Sequence, residues 1–182
     1  MNRPTMTNNQ FYNNSAVYGD NVASYPVKIV DSTTNSNKII ISNAVSGLQY
    51  SESITVKIVD FEGQVVNSEN KNTFKISSSA QGSSIGGTDF AKITDGTAVF
   101  DNLFFVAEAG SKNIGYTLST LAISRPIIEQ ILLPTDEKEY SNTITALFRE
   151  CQPGEVVTAS NQCRECAYGT FSLRWGATDC TS

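Results

Sequence analysis

Along most of the middle of the chain, every second residue is hydrophobic. In SITVKIVD, Ile54, Val56 and Ile58 alternate with Thr55 and Lys57, the period of a strand with one buried face. YPVKIV, NKIIISNAV and NTFKISSSA carry similar runs, and NTITALF reads as the last strand before the first cysteine. FAKITDGTAVFDNLFFVAEAGSKNIGYTLST reads as three strands joined at Asp95-Gly96 and at Ala109-Gly110-Ser111. An Asp-Gly between alternating hydrophobics predicts a hairpin. Ala98 and Phe100 fall on one strand face, as do Ile114, Tyr116 and Leu118. QGSSIGGTD reads as a Gly/Ser loop. No segment sustains a helical period; RPIIEQILLPTDEKEY, with Pro126 and Pro134 bracketing seven residues, leaves one helical turn or a strand open and is read as a strand or an extended linker. Short strands punctuated by turns in this way predict an all-β sandwich over 26–148. A polar, Asn-rich lead (1–25) precedes it and a cysteine-rich tail (149–182) follows.

Composition narrows the function. The 182 residues suffice for one ordinary domain plus a small module. Charged residues make up only 17%, and Asn, Ser and Thr take their place, as is common in extracellular β-proteins. The net charge of -5, with no run of Lys or Arg, argues against nucleic acid as a partner. There is no histidine, so hydrolytic triads built on His and His-ligated metal sites are excluded. The expectation is therefore a protein without catalytic residues and without a cofactor. Met1-Asn2-Arg3-Pro4-Thr5 leads into no apolar region of the kind a secretory signal needs. No apolar run is long enough to span a bilayer. If extracellular, the chain reads as a processed piece or a segment of a longer polypeptide.

All four cysteines lie in the tail: Cys151, Cys163, Cys166 and Cys180. Zinc would need four thiolates, usually as two C-x-x-C knuckles, and only Cys163-Cys166 forms one. A redox C-x-x-C would open a helix in an α/β fold, whereas this one follows a polar loop. A small disulfide module is the better reading, with three pairings open to four cysteines. Without bridges, about 30 residues so poor in apolar groups would not fold.

Three resemblances add detail. V-x-I-x-D-x-x-G ending at Asp60 and Gly63, then DG-x-A-x-F-x-x-L over 95–103, then a Gly-led strand ending Y-x-L resembles the immunoglobulin-like domains of invasin- and filamin-type surface proteins. The resemblance implies that Asp60 and Gly63 sit at a strand end, that Ala98, Phe100 and Leu103 pack inward, and that Gly110 with Gly115 permits the last turn. The unit Phe11, Asn13, Asn14 and Ala16 resembles the closing coil of a right-handed parallel β-helix, which implies Asn ladders at the turns and an interior filled by Phe and Ala. A single coil cannot bury its own face, so stacked neighbours or a partner chain are expected. In the tail, C-x-P-G, C-x-x-C, Y-G-T-F-S and a final Cys resemble the ephrin-receptor-like repeat, a relative of the tumour-necrosis-factor-receptor modules. That resemblance implies bridges Cys151–Cys163 and Cys166–Cys180, each loop contributing roughly 2–3 kcal/mol, with packing from Tyr168 and Phe171. The family pattern continues past Ser182. Combined, the three suggest a segment of a large surface protein of a single-celled eukaryote.

The remaining candidates are minor. Asn13-Asn14-Ser15 is a glycosylation sequon with Asn13 as acceptor. Asp89, Asp95, Asp101 and Asp136-Glu137 are too scattered for a calcium loop. Trp175 is expected to plug the disulfide module or pack on its neighbour. The chain thus reads as an extracellular or cell-surface structural or adhesive protein, a spacer or fibre subunit. Its partners would be neighbouring modules, copies of itself or glycans, and neither nucleic acid nor membrane. The alternative is a carbohydrate-binding module attached to a β-helix polysaccharide-active protein, which would need aromatics aligned on one face.

Overall fold

The computed structural model describes residues 7–16, 18–19, 21–131 and 142–182. The strands are β1 (Pro26–Asp31), β2 (Lys38–Ala44), β3 (Ile54–Asp60), β4 (Thr73–Ser78), β5 (Ser84–Gly87) and β6 (Phe90–Lys92), followed by β7 (Thr97–Phe100), β8 (Leu103–Val106), β9 (Ile114–Thr120), β10 (Asn142–Phe148), β11 (Glu155–Val157) and β12 (Cys163–Glu165). One short helix, α1, spans Arg125–Ile131. Strands β1-β3-β7 form a three-stranded sheet and β2-β10-β9-β4-β6 a five-stranded one. The chain passes repeatedly from one to the other, the crossing pattern of an immunoglobulin-like β-sandwich. β5-β8 and β11-β12 are small ribbons.

The alternation read from β3 holds: Ile54, Val56 and Ile58 are buried while Thr55 and Lys57 are half-exposed. The inward faces meet in one core holding Ile29, Ile41, Phe74, Phe100, Tyr116 and Ile144 among others. Ala98 and Phe100, with Leu103, are buried as a set. Phe105 and Tyr116 pack edge-to-face at 4.9 Å, and the Tyr116 hydroxyl donates to the Val106 carbonyl at 3.0 Å. The bond fastens β9 to the end of β8, in the manner of the side-chain-to-backbone tie of a tyrosine corner.

Four expectations are corrected. RPIIEQI is a helix, not a strand or extended linker. Pro126 lies in its first turn, where no N–H is needed, and the Ile128 N–H reaches the Ser124 carbonyl at 3.0 Å. With Ile128 seated in the core, a helix this short shows no period in sequence. Pro134, Asp136 and Glu137 lie outside the described residues, as do Met1 to Thr5. SSIGG contributes a strand rather than only a loop, because its glycines let the backbone come close: a Cβ on Gly87 would fall 2.0 Å from the Asn102 carbonyl oxygen. The three strands read over 90–120 are four, β6 to β9. Finally, Asp95-Gly96 does not make a hairpin within one sheet. Both residues have positive φ, 47° and 72°, as a type I′ turn requires, and Thr94 bridges Thr97. The strands then part, β6 to β4 and β7 to β3, so the turn is a corner between sheets.

Candidate functional site

The registers fix which end of the sandwich each tail leaves from. Pro26 at the start of β1 lies opposite Asp60 at the end of β3. Through the Asp95-Gly96 corner, that end also holds the start of β4, opposite the end of β9 (Phe74↔Thr120). β10 runs antiparallel to β9, so it starts near this pole (Asn142↔Leu118) and finishes at the other (Ala146↔Ile114). The lead therefore joins at one pole and the cysteine-rich module at the opposite pole.

At the lead pole the organising group is Asp60, a carboxylate only 1% exposed. Its Oδ1 accepts the Gln64 N–H at 2.8 Å, closing the turn that the D-x-x-G pattern announces. Its Oδ2 accepts the Tyr18 hydroxyl at 2.7 Å and the Gln64 side-chain amide at 3.1 Å. The Tyr18 hydroxyl also lies 2.7 Å from the Ser24 carbonyl, and the Gln64 amide donates to the Val22 carbonyl at 2.8 Å. Ser24 hydrogen-bonds through its hydroxyl to Glu62 and accepts the Phe61 N–H at 3.0 Å. Tyr18, Val22 and Ser24 are thus clamped to Asp60 and the loop after β3, bordering an open groove of about 760 Å³. Burial, followed by the hydrogen bond to Asp60 and its charge, pushes the Tyr18 phenol far above its ordinary value.

Residues 7–16 make no strand among the described residues. Phe11 and Ala16, which a stacked β-helix coil would turn inward, are exposed. The only Asn–Asn contact described in the lead joins Asn14 to Asn21 at 3.1 Å. Asn13 is exposed, with φ 46°.

At the opposite pole the structure pairs Cys151 with Cys163 and Cys166 with Cys180. Cys151 and Cys163 are buried and stand at the junction: the Cys163 N–H donates to the Ser46 carbonyl at 3.0 Å and the Arg149 N–H to the Ala44 carbonyl at 3.0 Å. The buried Ser46 hydroxyl in turn donates to the Ala107 carbonyl at 2.7 Å. Arg149 grips Glu155 with two N–H···O bonds of 2.8 Å, and those bonds, opposed by burial, hold the Glu155 carboxyl below its ordinary 4.5. A group so lowered stabilises the folded state above that pH, and the contribution fades as acid protonates it. Cys151, Cys163 and Glu155 bring their donor atoms within 4.8 Å of one another. The two sulfurs are bonded to each other and the carboxylate is held by Arg149, so this set does not offer the thiolates zinc would take.

The packing inside the module differs from expectation. Tyr168 is fully exposed, and Phe171 and Trp175 are about half exposed, so none of them plugs it. Small groups fill it instead: Val156, the Cys151–Cys163 bridge, and Ser172, whose hydroxyl donates to the Glu155 carbonyl at 2.8 Å. The acids weighed for calcium stay apart: Asp95 lies in the corner turn, Asp89 before β6, and Asp101 after β7. The Asp60 clamp was the feature that sequence reasoning missed. Its signal was a carboxylate directly after the apolar pair Ile58-Val59 at the end of a strand, followed by a turn.

Replacing Asp60 with Asn is expected to destabilise the protein by about 1–3 kcal/mol, since one oxygen becomes an NH2 facing donors. Tyr18→Phe should leave the melting temperature nearly unchanged and speed amide exchange in 18–24. Denaturant melts and hydrogen exchange check both, and unchanged exchange in Tyr18→Phe would contradict the clamp.

No protein-family model matches this chain, and no curated protein matches it. Among the described residues, no helix is long and apolar enough to cross a membrane, and the two disulfides suit an oxidising environment.

Proposed function

We propose that this protein is a non-enzymatic extracellular spacer, a structural or adhesive unit that joins neighbours in series along a surface fibre or within a larger surface protein. The observation that supports this most is the departure of the two tails from opposite poles. A unit joined at opposite poles passes load along its strands instead of branching. Both attachments are also tied to the sandwich by hydrogen bonds: the lead through the Asp60 clamp and the module through backbone bonds from Arg149 and Cys163. Phe11 and Tyr12 are the exposed large apolar side chains of the lead, and they would engage an adjacent copy by packing or by strand addition.

Deleting residues 8–16 while keeping Tyr18 and Ser24 is the test. The intact chain is expected to form higher assemblies in sedimentation and electron microscopy, and the deletion to stay monomeric with its melting temperature unchanged. Assemblies that persist in the deletion would remove the role of the lead.

A further inference from the structure

The outer face of the five-stranded sheet points to a second kind of partner, whether or not the protein assembles in series. The positions that face outward on it are Lys38, Ile40 and Ser42 on β2, and Thr143, Thr145 and Leu147 on β10. Thr117 and Ser119 continue the face on β9, Lys75 and Ser77 on β4, and Phe90 and Lys92 on β6. Every ionisable group on it is a lysine, in a protein of net charge -5. Asp89 precedes Phe90 in the loop before β6, Asp31 is occupied with the N–H groups of Thr33 and Thr34, and Glu69 with those of Lys71 and Asn72. None of the three lysines is in an ion pair among the described residues.

The register arranges these groups. Lys38, Thr143, Thr117 and Ser77 form one row across four strands, a span of about 14 Å at the usual strand spacing. The next row carries Ser119, Lys75 and Phe90. Lys92, opposite Thr73, lies one row further, with its Cα about 8 Å from that of Lys75. Lysines on the edge strands β2 and β6 would by themselves serve to block edge-to-edge pairing. That role does not account for Lys75, which sits on an inner strand, nor for hydroxyls filling the positions between.

We infer that this face binds a linear acidic polysaccharide laid across the strands. Lys38, Lys75 and Lys92 would meet its sulfate or carboxylate groups, the Thr and Ser hydroxyls its ring hydroxyls, and Ile40 and Phe90 the apolar faces of its sugars. Single-stranded nucleic acid fits less well, because among the described residues this face offers one aromatic ring, Phe90, for base stacking.

Heparin is the first probe, with hyaluronate to separate sulfate from carboxylate and single-stranded DNA as the competing polyanion. Wild-type protein should be retained on a heparin column at low salt and neutral pH despite its negative net charge, and should elute as salt rises. The triple variant K38E/K75E/K92E should bind at least tenfold more weakly. K28E/K57E/K112E, which changes the net charge equally at other places, should bind like wild type. Circular dichroism melts confirm that each variant is folded, and the single variant K75E gives an intermediate loss if the triple one is not. Failure of wild type to be retained on both glycans, equal losses in the two triple variants, or equal retention on DNA would each overturn the assignment. Fibre assembly unchanged in K38E/K75E/K92E would keep this surface distinct from the lead.

Discussion

Tyr116→Ala is expected to cost about 3–5 kcal/mol, comparable with the whole stability of many single domains. The residue is fully buried at the centre of the sandwich. Truncation leaves a ring-sized cavity against Phe105, and it also leaves the Val106 carbonyl without the hydroxyl that satisfies it. Tyr116→Phe separates the two losses. It keeps the ring and removes one hydrogen bond, which is worth about 1 kcal/mol. The pH dependence isolates the hydroxyl further. Burial pushes this phenol up to about 12 from 10.0, so its folded value lies above its unfolded one. Its contribution is complete below pH 10 and is lost as pH rises through about 12. Tyr116→Phe should flatten that part of the alkaline limb in urea melts followed across pH. A Tyr116→Ala protein that melts within 1 kcal/mol of wild type would mean that the ring is not the keystone of the core.

Reduction of the disulfides should unfold the cysteine-rich module and spare the sandwich. The bridged pairs are 12 and 14 residues apart, and closing loops of that size stabilises by about 3 kcal/mol each. Little else holds the module, since its large rings are exposed and its packing rests on Val156, Ser172 and sulfur. The two bridges are not equivalent. Cys163 also donates to Ser46, and the Cys151 carbonyl accepts the Gly176 N–H at 2.8 Å. Removing the first bridge should therefore detach the module from the pole, whereas removing Cys166–Cys180 should loosen only the distal part. Limited trypsin digestion read by mass spectrometry distinguishes them. Reduced protein should be cut after Arg164 and Arg174 while 26–120 survives intact. Equal resistance before and after full reduction would show that the module does not depend on its bridges.

Local pattern carried the strands whose inner and outer faces differ. β3 and β4 alternate apolar with polar residues along most of their length, and each lies in a sheet with one face in the core. It failed where the chain obeys a constraint from elsewhere. The helix Arg125–Ile131 is too short to show a period and is held by Ile128 in the core. β5 looks like a loop because its glycines serve closeness to β8 instead of propensity. The Asp95-Gly96 turn has the chemistry of a hairpin, but which sheet each flanking strand joins depends on partners far along the chain.

The sequence by itself determined the all-β class, most of the strands, the inward-facing sets around Ile58, Phe100 and Tyr116, and a cysteine-rich end. These follow from alternation, turn residues and the placement of sulfur, all of which act over a few residues. Tertiary structure alone decided that β2 runs parallel to β10, that the tails leave from opposite poles, that Asp60 clamps the lead through Tyr18, and that the aromatic rings of the module face outward. Each depends on contacts between residues tens of positions apart, and a local pattern holds no information about which distant strand or side chain will arrive.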